Sequence, residues 1–128
     1  QEESLPRKVL NNLKERLLNN DKIVHDAFDI MHKCVLDGKK ALIEGDFLTL
    51  GRCMTIQQEQ ENVIGAATSK LNTLCEVSLK SGAYGAKQMG AGGGGCMVAV
   101  CPGKQQEVAA AIQKAGGRAW IFNVFHYN

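Results

Sequence analysis

The sequence predicts an α+β domain in which a helical N-terminal two-thirds packs on a small antiparallel sheet. Two observations carry that reading. Apolar residues recur at three- and four-residue spacing as far as Leu79, after which the period shortens to the alternation of strands. At the change of period sits Gly90-Ala91-Gly92-Gly93-Gly94-Gly95, holding five of the chain's 14 glycines. Glycine costs backbone entropy on folding, so that density needs a local reason.

The elements follow in order. Ser4 to Asn19 reads as a first helix, with Ser4 as cap, Pro6 in the first turn, and Val9, Leu10, Leu13 and Leu17 as its stripe. Asp21 caps a second helix striped by Ile23, Ala27, Ile30, Met31, Cys34 and Val35, which continues past a bend at Gly38 to Ile43. Gly45 ends it, and Asp46 caps a third helix carrying Phe47, Leu50 and Met54. The polar string Gln57-Gln58-Glu59-Gln60-Glu61-Asn62 reads most simply as an exposed helical turn, with a role facing a substrate left open. Thr68 and Ser69 open a fourth helix through Leu71, Leu74, Cys75, Val77 and Leu79, stopped by Gly82.

Then come Ala86-Lys87-Gln88-Met89, the glycine run, and the strand-like Cys96-Met97-Val98-Ala99-Val100-Cys101. A helix follows from Lys104 to about Ala115, and a last strand from Arg118 to Phe125 alternates Trp120, Phe122 and Val124 with Ile121 and Asn123. This β-loop-β-α-β order leaves a sheet edge that another strand would need to cover. The chain also begins Gln1-Glu2-Glu3, without an initiator methionine, so a piece of something longer is expected.

The 128 residues make one domain, 1–128, large enough for a real core. The net charge of +2 comes from scattered groups with no basic block, which argues against nucleic acid and anionic membrane as partners. No run is long and apolar enough for a membrane span and no signal peptide is present, so a cytoplasmic chain is expected. The cysteines (Cys34, Cys53, Cys75, Cys96 and Cys101) show no metal-ligand or redox spacing, and buried free thiols are the reading. A reactive thiol at Cys96 would need an activating partner, which the sequence does not show. His25 and His32 share a helix face, but not at the one-turn spacing of zinc helices; a solvated face and no metal site are expected. Trp120, Phe122 and Phe125, with little basic interleaving, read as a core-facing strand rather than a platform for bases.

Gly90-x-Gly92-x-x-Gly95 formally matches the dinucleotide fingerprint, but that fingerprint opens a helix and here a strand follows. The phosphate-loop signature fails too, because no Gly-Lys-Ser/Thr ends the run. What remains is a loop between strands whose bare N–H groups can form an anion concavity, or a flexible connector. Lys87 is either an edge lysine with its amine in water or positive charge beside a phosphate-accepting loop.

Written out, Gly82-Ala83-Tyr84-Gly85-Ala86-Lys87-Gln88-Met89-Gly90-Ala91-Gly92-Gly93-Gly94-Gly95 followed by Cys96-Met97-Val98-Ala99-Val100 resembles the third motif of the GHMP kinase superfamily. Gly45-Asp46, a Gly51-Arg52-Cys53-Met54 turn, Gln57-Gln58 in place of an Asn-Gln pair, and Ala115-Gly116-Gly117-Arg118 are similar to the archaeal-type mevalonate kinases within it. Two departures stand out: Met89 where most members carry Thr or Ser, and Ala66-Ala67-Thr68 in place of Gly-Val-Ser.

The resemblance implies a ferredoxin-like C-terminal domain of an ATP-dependent kinase acting on a small-molecule hydroxyl, mevalonate first. A sugar or sugar-phosphate kinase of the same superfamily, or a freestanding regulatory module, stands as the alternative. It implies ATP and Mg2+ as cofactors, held mainly by an N-terminal kinase domain absent from this chain, and leaves a homodimer open. It places no catalytic residue and no metal ligand in the chain. Nucleotide contacts would fall to Lys87, Gly90, Ala91, Gly92, Gly93, Gly94 and Gly95, and the chain alone would be inactive.

Overall fold

The computed structural model describes residues 5–89 and 95–123. Five helices and a two-stranded antiparallel sheet follow in the order α1 (Leu5–Leu18), α2 (Lys22–Glu44), α3 (Phe47–Val63), α4 (Ser69–Lys80), β1 (Gly85–Met89), β2 (Cys96–Val100) and α5 (Gln105–Lys114). The α+β reading holds.

The helix ends are set by side chains the sequence marks. Asp21 Oδ1 accepts from the Ile23 amide at 3.0 Å, Asp46 Oδ1 from Thr49 at 3.1 Å, and Thr68 Oγ1 from Leu71 at 3.2 Å. Each meets an amide that has no partner within its helix. Gly45, at φ +72°, ends α2 in the left-handed turn that glycine adopts without a Cβ penalty. Ser4, the expected first cap, lies outside the described residues.

α2 buries the expected seam only in part, at Ala27 and Cys34 with Met31 partly buried. Val24, Ala27, Cys34, Gly38 and Ala41 face inward, while Ile23, Ile30 and Val35 are exposed. α2 runs unbroken through Gly38. A Cβ there would lie 3.6 Å from Leu50 and 3.8 Å from Cys53, ordinary contact distances with α3. The segment Gly51-Arg52-Cys53-Met54 is likewise helix, inside α3, rather than a turn.

Two apolar clusters flank the sheet. Leu13, Val24, Ala27, Ile64 and Ala66 join α1, α2 and the end of α3; Leu71, Leu74, Val108 and Ile112 join α4 to α5 beneath Met97 and Ala99. Burial of such side chains from water is the main favourable term in folding. Arg16 ties the helix ends beside the first cluster, donating from Nε to Asp21 at 2.9 Å and from a terminal nitrogen to the Ile64 carbonyl at 3.2 Å.

β1 and β2 pair from Gly85↔Val100 to Met89↔Cys96. α3 packs on β1 main chain to main chain: a Cβ on Gly85 would fall 1.8 Å from the Gly51 carbonyl oxygen, and one on Gly51 would fall 2.5 Å from the Tyr84 carbonyl carbon. Neither position admits a side chain.

The expected last strand is absent from Arg118–Asn123, and its remainder lies outside the described residues. Trp120 and Phe122 are 72% and 84% exposed, and Ala119 alone of this stretch packs on the α4–α5 cluster. Alternation supplies a strand's pattern, but the strand needs a ladder to carry it. No partner strand adjoins this stretch among the described residues.

Candidate functional site

β1 alternates its side chains across the sheet, as any strand must. Ala86 and Gln88 point to one face, where both are 1% exposed. Lys87 and Met89 point to the other, into a groove of about 430 Å³ between the sheet and the α2–α3 pair. Val35, Leu42, Leu50 and Met54 form its helical wall, Met89, Val98 and Val100 its sheet side, and Lys39 and Lys87 supply its charge. The groove is apolar with a few polar groups, which is the usual make-up of a small-molecule site.

Lys87 sits half-buried at the root of the glycine run, and its Nζ donates to Gln57 Oε1 at 2.9 Å. Gln57 Nε2 donates in turn to the Met31 carbonyl at 3.4 Å. One turn further along α3, burial pushes the Glu61 carboxyl above its ordinary range, against the downward pull of the Lys87 charge. Lys87 makes no ion pair within 4.0 Å among the described residues.

Behind the sheet the polar groups are closed up. The Gln88 amide donates to Gln58 Oε1 at 2.7 Å, and Gln58 Nε2 donates to Gln88 Oε1 at 3.2 Å and to Asn72 Oδ1 at 3.0 Å. Gln88 Nε2 donates to the Ala66 carbonyl at 3.0 Å. Buried amides are tolerated only when their hydrogen bonds are made, and these form one connected set from α3 through β1 to α4. The polar string of α3 is therefore an exposed turn only in part: Glu59 and Asn62 are exposed, but Gln57 and Gln58 are 8% and 6% exposed. Two glutamines in succession at the start of the polar string were the available signal; which way they face depends on β1.

Of the expected nucleotide contacts, Lys87 and Gly95 are described, while Gly90, Ala91, Gly92, Gly93 and Gly94 lie outside the described residues. Met89 and Gly95 bracket the run, closed by the Met89↔Cys96 pair. Gly95 holds φ +104°, a region that L side chains rarely adopt, while a Cβ there would meet only the Met89 carbonyl at 3.5 Å. Its glycine is demanded by the turn rather than by space.

Elsewhere, His25 and His32 are exposed, and no three His, Cys, Asp or Glu side chains converge as a metal site requires, among the described residues. All five cysteines are free, but Cys96 is exposed rather than buried. Burial pushes the Cys75 thiol up to about 11, which keeps it protonated and inert near neutrality. No helix of the described residues is long and apolar enough to cross a membrane.

This arrangement of helices on a two-stranded sheet has known counterparts. The family model described as GHMP kinases C terminal matches residues 39–118. The chain belongs to that family. It is 38% identical over 117 residues to the mevalonate kinase of Pyrococcus abyssi, covering 88% of this chain and 35% of that one. With the mevalonate kinase of Thermococcus onnurineus the identity is 43% over 108 residues, covering 84% and 30%. Among solved structures, L. major mevalonate kinase in complex with R-mevalonate superposes with a TM-score of 0.77 at 22% identity, over 88% of this chain and 35% of that one, a likeness of fold. The chain thus spans about a third of the length of these relatives.

Proposed function

We propose that this chain is the C-terminal domain, residues 1–128, of an ATP-dependent kinase that phosphorylates the hydroxyl of a small metabolite, mevalonate first among candidates. The observation that carries the reading is Lys87, whose ammonium stands at the root of the glycine run and donates to a neutral amide, with no ion pair among the described residues. A cation so placed suits the terminal phosphates of a nucleotide, and the main-chain N–H groups of Gly90, Ala91, Gly92, Gly93, Gly94 and Gly95 would complete an anion cradle beside it. The identity to archaeal mevalonate kinases supports mevalonate as the acceptor.

Phosphoryl transfer depends on positioning and on charge neutralisation by a phosphate loop, a metal ion and basic residues. In this reading the chain supplies one wall of that site. ATP, Mg2+ and the groups that activate the acceptor hydroxyl belong to a companion N-terminal domain. The exposed Met89 offers no hydroxyl beside the loop, so a sugar or sugar phosphate is the competing acceptor.

The test is to assay the complete protein with ATP and Mg2+ against mevalonate, galactose and a heptose phosphate, beside the 128-residue chain alone. Phosphomevalonate from the complete protein and no turnover by the chain is the expected result. Turnover of a sugar moves the assignment within the superfamily. Phosphorylation by the chain alone, or none by the complete protein, overturns the reading.

A further inference from the structure

Successive residues on a strand point to opposite faces, whereas successive residues on a helix diverge by about 100°. Gln57 and Gln58 use that difference to straddle β1. Gln58 takes the Gln88 amide and side chain on the closed side, and Gln57 takes the Lys87 ammonium on the groove side. Both glutamines are buried, so neither bond is a passing surface contact. The Gly51–Gly85 contact fixes the height of α3 against β1, which sets these pairs in register.

We propose that Gln57 is the positioning residue for Lys87: a neutral acceptor that holds the ammonium in place on the groove side of β1 without cancelling its charge. The proposal rests on the phosphate-bracing role given to Lys87 above. Lysine carries three N–H donors, and the Gln57 bond at 2.9 Å uses one of them. A carboxylate in the same place would form a short ion pair and hold the ammonium away from an incoming anion. An apolar residue would leave the long lysine stem with nothing to direct it, and its rotamer entropy would then oppose capture of the phosphates. An amide avoids both outcomes. Glu61, the carboxylate whose field Lys87 shares, stands a full turn beyond Gln57 and makes no ion pair with it.

The experiment compares Gln57→Glu with Gln57→Met in the complete protein. Gln57→Glu preserves shape and adds a charge, and should raise the KM for ATP about tenfold while kcat falls less. That penalty should shrink as the pH drops and the new carboxyl protonates. Gln57→Met should raise KM by roughly threefold with no such pH dependence. Equal losses in the two variants, flat with pH, would mean Gln57 only packs, and would overturn the proposal.

A second readout needs no activity. The 13Cε resonance of Lys87 should shift in Gln57→Glu, as an ion pair replaces the bond to the amide, and narrow to a mobile, solvent-like signal in Gln57→Met. An unmoved resonance in both variants rejects the placement of the ammonium by Gln57. If the wild-type protein ignores ATP while that resonance shifts as stated, the kinase reading fails and the positioning by Gln57 stands.

Discussion

The two sides of β1 differ more than their sequence suggests. On the Gln88 side the Gln58, Gln88 and Asn72 side chains bond to one another, and the strand is tied to α3 and α4 by this chain of amides. On the Lys87 side the strand looks into an open apolar groove, and the lysine leans on Gln57. Stability is concentrated on the first side and binding capacity on the second. Function tends to occupy ground that folding does not need, because a group satisfied by the fold has nothing left for a ligand.

That contrast can be broken at its hinge or sharpened on either side. The largest effect is expected for Gly85→Ala, whose new Cβ would fall 1.8 Å from the Gly51 carbonyl oxygen and force α3 off the strand. Overpacking against backbone should cost roughly 3 kcal/mol or more, read as a lowered denaturant midpoint. An unchanged midpoint would mean that the helix and strand are not in contact.

Next come the matched amides. Gln88→Leu and Gln58→Leu each strand a buried partner and should cost roughly 1–3 kcal/mol. The double variant should cost less than the sum, with a coupling of about 1 kcal/mol. Strict additivity would show that the two side chains do not share their hydrogen bonds. Lys87→Met supplies the opposite case: the midpoint should move by only about 0.5 kcal/mol, while ATP use by the complete protein falls steeply. A large loss of stability with normal ATP use would invert the contrast.

The smallest effect lies far from the sheet. The Arg16 hydrogen bond holds the Asp21 carboxyl below its ordinary value, outweighing the upward push of burial. Its charged form is favoured in the folded chain, so the stability it adds is complete above the ordinary carboxylate range and drains as pH falls through the lowered value. Thermal melts taken at descending pH should therefore show a gentler acid-side decline for Asp21→Asn than for the wild type. Identical declines would remove Asp21 from the acid response.

Much of the fold was legible because helix punctuation is local. Asp21, Asp46 and Thr68 as caps, and Gly45 and Gly82 as stops, act within four residues of themselves, and all five stand where the sequence puts them. The buried seam of α2 was misjudged at Ile23, Ile30 and Val35, which are exposed while the less hydrophobic Gly38 and Ala41 are buried, because position around the helix rather than hydrophobicity decides burial. The terminal aromatics misled for a related reason, since a strand is completed by its neighbour and not by its own alternation. In the candidate site, Lys87 was found by its place beside the glycines. Gln57, its holder, lies 30 residues away, and no spacing rule links a helix residue to a strand formed that far downstream.

The side-chain-free crossing of Gly51 and Gly85 has a mechanical consequence. Side chains between packed elements act as a cushion, absorbing small displacements by changing rotamer. Here no cushion exists, and a tilt of α3 passes directly into β1. β1 therefore cannot drift independently of α3, and whatever tilts that helix also sets the angle of the strand.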